Sequence, residues 1–254
     1  METGTVNYNK IFSNYNLRYK VNPMHGVSKA LGIIINTYKP KNILEVGCGT
    51  GQWLSAIDGC DIERIGVDYS LGMLKEAKKN GNKLNLICAD ANALPFSNKQ
   101  FDLIYCVNAI HHFKNKKKFI IAAANLLEQN GTLSIVGVDP RNKNDKWYIY
   151  DFFEGVYEKN LLRFPSFEEI AFWMNEIGLK QIMKSTVECV VKDWIGDDVF
   201  NDTFLRKDQS SQLAILSDRE YFFGIDKIKH AIEKNPQVHF PVRLTFNSVT
   251  GMKD

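Results

Sequence analysis

The sequence predicts a doubly wound α/β fold: a mostly parallel seven-stranded sheet with helices on both faces and a helical, aromatic cap inserted after strand five. Three observations predict it. Between residues 24 and 138 short apolar runs alternate with helix-period stretches, the pattern of parallel strands joined by crossover helices. The first apolar run passes straight into a glycine-rich turn, Gly47-Cys-Gly-Thr-Gly51. Polar residues then gather at the ends of successive runs, where open α/β sheets bind ligands. A length of 254 residues, 44% hydrophobic and 24% charged, suffices for one such domain with a modest cap.

Taken in order, a helical pattern over Met24–Tyr38 precedes the first strand, Asn42–Val46. Helix Gly51–Ile57, strand Arg64–Val67, helix Leu71–Asn80 and strand Leu84–Cys88 follow. The apolar run Phe101–Val107, the helix Asn115–Glu128 and the strand Gly131–Val138 complete five strands, and each helix shows apolar residues three or four apart. After Asp139-Pro140 a polar loop opens into the aromatic stretch Trp147–Phe153 and Tyr157, the expected cap. Ser166 with Glu169 has the form of a capping box for a helix over Ser166–Ile177. A strand over Gln181–Val191, a helix over Asp218–Lys234 and a last strand over Val238–Val249 supply the remainder.

The chemistry concentrates at four strand ends. Glycines at every second position let the chain turn sharply and bring backbone N–H groups close to a ligand. The GxGxG spacing differs from the GxGxxG of dinucleotide sites. Glu45, two residues before the first glycine, places a carboxylate in a buried strand, so a polar or cationic group should meet it. Asp68 ends the second strand and suits two ribose hydroxyls, with Met73 placed to pack on a base. Asp90 suits an exocyclic amine of adenine and the Ala91 N–H a ring nitrogen. The fourth run leads to Asn108, then His111 and His112.

In this ordered series the chain resembles the class I methyltransferases that use S-adenosylmethionine (SAM), within them the small-molecule group of the ubiquinone and menaquinone C-methyltransferase type. The similarity is carried by Glu45-Val-Gly-Cys-Gly-Thr-Gly51, Gly66-Val-Asp-Tyr-Ser70, Ala89-Asp-Ala91 with Leu94-Pro-Phe96, Phe101-Asp102 and Leu127 to Gly131. The resemblance implies a Rossmann-like methyltransferase domain over 1–254: a SAM-binding core at 24–140, a cap and substrate-facing region at 141–216, and the last helix and strand at 217–254. It also implies a set of SAM contacts. Glu45 would lie near the amino group, Gly47, Cys48, Gly49 and Gly51 around the methionine moiety, and Asp68 with Tyr69 at the ribose. Met73, Asp90 and Ala91 would lie at the adenine, and the Asn108 backbone beside the methionine part. Tyr8-Asn-Lys-Ile-Phe-Ser-Asn-Tyr15-Asn-x-Arg18 echoes an opening that folds over the cofactor, which adds Tyr15 and Arg18.

The expected activity is methyl transfer to a small-molecule O, N or C atom by in-line displacement. A sulfonium methyl is already activated, so positioning carries most of the catalysis. His111 is the candidate base, while His112, Trp147, Tyr150 and Phe153 are candidates for the acceptor pocket. A non-catalytic SAM-binding protein, an RNA methyltransferase and an NAD-dependent oxidoreductase are the competing readings. A net charge of +3, without a basic stripe, argues against nucleic acid as a partner. No histidine, cysteine or carboxylate set has metal-ligand spacing. Cys48, Cys60, Cys88, Cys106 and Cys189 show no CxxC, and the longest apolar run falls short of about 20 residues. The expectation is a cytoplasmic monomer or homodimer away from membranes.

Overall fold

The computed structural model describes residues 6, 8, 12, 15–57, 61–79 and 84–254; Cys60 lies outside them. Helices α1 (Leu17–Val21) and α2 (His25–Tyr38) lead to β1 (Asn42–Val46), α3 (Gln52–Ser55), β2 (Glu63–Asp68), α4 (Leu71–Lys79) and β3 (Asn85–Cys88). Then come β4 (Phe101–Val107), α5 (Lys116–Leu126), β5 (Leu127–Val138) and β6 (Lys146–Trp147). Helices α6 (Ile149–Phe152), α7 (Val156–Arg163) and α8 (Phe167–Glu176) precede β7 (Lys180–Ile195); α9 (Ser211–Ala214), α10 (Asp218–Lys234) and β8 (His239–Met252) end the chain.

The parallel strands lie in the order β3-β2-β1-β4-β5, and β8 runs antiparallel beside β5. The chain therefore winds outward from β1 through β2 to β3, then reverses to β4, which lies against the other side of β1. The gap at the carboxyl ends of β1 and β4 is the topological switch point, where such sheets hold ligands. Strand β1 is buried on both faces from Ile43 to Val46, with Glu45 its one charged residue. Ile43 enters one core cluster with Leu103, Tyr105 and Trp53, while Leu44 and Val46 enter the other with Ile104 and Cys106.

The sheet has eight strands where the sequence predicts seven, because Lys146–Trp147 pairs with Arg243 and Val242 of β8. A two-residue strand has too little length to show a period. Residues 180–195, inside the stretch expected as cap, form β7, which pairs with β8 along its length and belongs to the sheet. Helix α8, also in that stretch, packs on β7, β8 and α5. The part of 141–216 that stands off the sheet is thus the α6–α7 segment and the turns leading to α9.

Both serine-led helix starts close as capping boxes: Ser166 Oγ accepts from the Glu169 N–H at 3.1 Å, and Ser217 Oγ from the Glu220 N–H at 3.2 Å. Each satisfies N–H groups that the first helical turn leaves without partners. The lysine run 116–118 opens α5, capped by Asn115, whose Oδ1 accepts from the Lys118 N–H at 2.8 Å.

Candidate functional site

The turn after β1 is built from backbone that only glycine adopts freely. Gly47, Gly49 and Gly51 stand at φ +77°, +53° and +74°. At Gly47 an added Cβ would lie 2.3 Å from the Ala109 Cβ, so the turn and the loop after β4 touch. At Gly49 it would meet no described atom within 4 Å, which leaves an open cradle.

Glu45 lies wholly inside, in register between Gly66 of β2 and Tyr105 of β4. The Tyr105 hydroxyl donates to its Oε2 at 3.1 Å, while Oε1 is buried without a partner among the described residues. Burial pushes its carboxyl well above the usual range, and the Tyr105 and Leu54 hydrogen bonds only partly oppose this. The polar partner expected for this carboxylate is therefore half supplied by the fold. An ammonium group is the chemistry that would complete it.

Asp68, half-buried at the tip of β2, accepts from the Gly49 N–H at 2.9 Å and the Ser70 N–H at 2.8 Å. Each oxygen keeps a further lone pair. Burial raises this carboxyl too, against those two bonds. Asp90 is exposed past β3 and accepts from the Asn92 N–H at 2.8 Å, while Ala91 is buried. Asn108, at φ +51°, turns the chain out of β4.

Three of the residues expected at the cofactor differ in exposure and facing. Met73 is 2% exposed, turned inward on α4, so it presents no surface for a base. Cys48 turns its thiol to the core, where an added Cβ on Gly66 would lie 2.8 Å from its Sγ. Tyr69 is 79% exposed beside Asp68. Periodicity places a residue on an element, but not on the side that opens to a ligand.

Next to Asn108 lies a cavity of about 240 Å³. Its aromatic wall includes Tyr15, Tyr19, Trp147, Tyr150, Phe164 and Phe204, and Arg18 joins it with the guanidinium 4.0 Å over the Tyr15 ring. Trp147 and Tyr150 both line this cavity. Phe153 does not: it is 1% exposed and packs on Gly224 of α10, where an added Cβ would lie 2.3 Å from its ring. Trp147 Nε1 and Gln209 Oε1, both on this wall, are buried without partners among the described residues.

Both histidines line the cavity. His111 stacks on Phe164 with centroids 3.9 Å apart, and its Nε2 lies 3.2 Å from Ser211 Oγ. His112 Nε2 lies 2.7 Å from the Tyr8 hydroxyl. Burial first, then the neighbouring His112 and Arg163, holds His111 well below the usual imidazole range. Burial, then Arg163 and Arg18, does the same for His112. Two neutral imidazoles therefore stand in the pocket at neutral pH.

Ser211, Tyr19, Phe164 and Phe204 lie far apart in the chain, and no local spacing marks them as parts of one wall. Arg206 is exposed and spends its guanidinium on Asp208 at 3.2 Å. Among the described residues no group of His, Cys, Asp or Glu could hold a metal ion, and no helix is long and apolar enough to cross a membrane.

A sequence profile described as "Methyltransferase domain" matches residues 44–135. A ubiquinone biosynthesis O-methyltransferase of Coxiella burnetii is 27% identical over 176 residues, spanning 63% of this chain and 74% of that one. The uncharacterized methyltransferase YcgJ of Bacillus subtilis is 27% identical over 200 residues, spanning 72% and 77%. The crystal structure of YcgJ superposes with a TM-score of 0.59 at 20% identity over 89% of this chain and 98% of that one. The plantazolicin methyltransferase BpumL, in complex with SAH, gives 0.57 at 17% identity over 96% and 90%.

Proposed function

For this chain, a class I SAM-dependent methyltransferase, we propose that the reaction is methylation of a small molecule at an oxygen or nitrogen that carries a proton, seated in the cavity beside Asn108. The observation that carries the reading is that cavity: walled by aromatic rings, holding two neutral imidazoles, and joined to the glycine turn through the 108–109 loop. A cavity of roughly 150 Å³ takes up a benzene ring, so 240 Å³ suits one ring with substituents. The unpartnered Trp147 Nε1 and Gln209 Oε1 offer such an acceptor one donor and one acceptor.

SAM supplies an activated methyl group on a sulfonium. The groups present fit it: Glu45 Oε1 is free to receive the ammonium, Gly47 to Gly51 offer an open backbone cradle, and Asp68 keeps lone pairs for the ribose hydroxyls. Asp90 and the Ala91 N–H stand at the next strand end for the adenine. Asn108, Tyr15 and Arg18 close the side that faces the cavity.

His111 takes the base role. Ser211 Oγ donates to Gln212 Oε1 at 3.2 Å, so His111 Nε2 carries the proton and donates to Ser211, leaving Nδ1 as the acceptor. In His112 the Nε2 is engaged in a hydrogen bond with the Tyr8 hydroxyl at 2.7 Å. His111 Nδ1 would take the proton of the acceptor's O–H or N–H as the methyl is transferred, leaving an imidazolium that the buried surroundings disfavour until the proton leaves. The similarity to a ubiquinone biosynthesis O-methyltransferase and to the plantazolicin methyltransferase supports a small-molecule acceptor.

The test is incubation of the purified chain with methyl-labelled SAM and a cell extract, followed by separation by size. Label is expected in the small-molecule fraction. Label confined to RNA or protein would overturn the reading.

A further inference from the structure

Arg163 is a buried charge that methyl transfer as described leaves without a task. It ends α7, is 6% exposed, and forms no ion pair with a carboxylate among the described residues. Its Nη1 donates to the Ser211 carbonyl at 3.1 Å and to Asn160 Oδ1 at 3.5 Å, while Nη2 is buried with no acceptor among the described residues. A guanidinium withdrawn from water without a counter-charge is costly, and a fold that keeps one gains when a ligand brings the missing charge.

The group sits one residue behind the cavity wall at two points. Ser211, whose carbonyl it binds, faces His111 at 3.2 Å, and Asn160 donates to the Tyr150 hydroxyl at 3.2 Å. His111, Ser211 and Tyr150 all line the cavity. Other donors of the wall are also unspent: Arg18 Nε and Trp147 Nε1 are buried without partners among the described residues. The cavity's carboxylates, by contrast, are engaged. Asp139 pairs with Arg141 at 3.0 Å, and Asp145 accepts from the Thr245 N–H and hydroxyl at 3.0 and 2.6 Å. On or just behind the wall, three N–H donors, two of them on arginines, thus stand unspent against the single unspent acceptor Gln209 Oε1 among the described residues.

We propose that the methyl acceptor is an anion, an aryl carboxylate or phosphate monoester, whose charged group is received on the Arg163 side of the cavity. This rests on the reading that the cavity holds the acceptor. Arg163 is a specificity and positioning residue here, since it stands behind the wall, acts on the pocket through its charge and its partners Ser211 and Asn160, and takes no part in moving the proton.

The test measures binding to the full chain, in the presence of S-adenosylhomocysteine, of three matched pairs: benzoate with benzamide, salicylate with salicylamide, and phenyl phosphate with phenol. At least one anion is expected to bind about tenfold or more tighter than its neutral partner. The carboxylate and phosphate arms separate the two chemistries. Arg163→Met and Arg163→Gln should abolish the preference without changing SAM affinity, and Arg163→Lys should restore part of it. Absence of preference in every pair, or a preference that survives in Arg163→Met, overturns the proposal. A merely structural arginine predicts a lower melting temperature for ligand-free Arg163→Met, whereas an anion receptor predicts one at least as high, because the unpaired charge is gone. Failure of the methyl-transfer reading shows separately, as label reaching no small molecule while the Arg163-dependent preference persists.

Discussion

A single side chain's burial sets what it can do in this pocket. His111 is held neutral by its surroundings, so it is ready to accept a proton at pH values where an exposed imidazole is mostly charged. The acid limb of kcat is therefore expected well below the ordinary imidazole value of 6.5. His111→Gln should lower kcat by about 10² to 10⁴-fold, the usual contribution of a positioned base, and leave SAM affinity in place. Steady-state kinetics with a separate SAM titration checks both halves. Glu45 offers the complementary case, a buried carboxylate with one unpartnered oxygen. Glu45→Gln keeps the shape and the Tyr105 contact but removes the charge. It should weaken SAM binding by about tenfold or more and raise the melting temperature at pH 8, by roughly 2–4 °C per kcal/mol recovered in a chain of this size. Calorimetric binding and thermal scans at two pH values distinguish this from a simple loss of fold.

At the scale of elements, local chemistry and tertiary packing make separate contributions that substitutions can part. The α10 capping box is local: Ser217→Ala should cost about 1 kcal/mol in chemical denaturation and leave the cofactor site untouched. The contact between α6 and α10 is tertiary. Gly224→Ala improves helix propensity, yet its Cβ would lie 2.3 Å from the buried Phe153 ring, so the variant should lose about 1–3 kcal/mol through overpacking. Ranking the two variants by denaturant midpoint tests which effect wins. The same division explains what could be read in advance. Strands β1 and β4 fall on their apolar runs residue for residue, and Asp218–Lys234 on its periodic pattern, because period and caps are local. The pairing of Lys146–Trp147 with β8, and the membership of β7 in the sheet, depend on partners some 60 to 100 residues away.

Across the whole molecule, two sets of buried groups tilt the pH dependence of stability in opposite directions. His111 and His112 sit below their unfolded value of about 6.5, so the unfolded chain binds more protons under that pH and stability falls as the medium acidifies, by about 1.4 kcal/mol per pH unit for each proton of difference. Glu45 and Asp68 sit above their unfolded values, so their contribution is present at low pH and is lost as pH rises through the folded values. In denaturation at pH 5 to 7, the acid loss of stability should shrink in the His111→Gln, His112→Gln double variant and steepen in Glu45→Gln. An unchanged slope in both would show that neither set is buried as described.

The order Glu45, Gly47 to Gly51, Asp68, Asp90 and Asn108 was legible along the chain, because strand ends, tight turns and their polar groups are local features at fixed spacing. So was the proximity of His111 and His112 to the fourth strand's exit. The facing of Met73, Cys48 and Phe153 was not, since a residue on an amphipathic element points to core or cleft according to what packs over it. The acceptor cavity is a product of tertiary structure alone. It joins Tyr15 and Arg18, the fourth strand's loop, Trp147 and Tyr150, Phe164 and Ser211, segments that only the completed sheet and its cap bring within reach of one small molecule. Arg163 likewise has no motif in the chain; it stands out only once burial removes water from it and packing leaves its Nη2 without an acceptor.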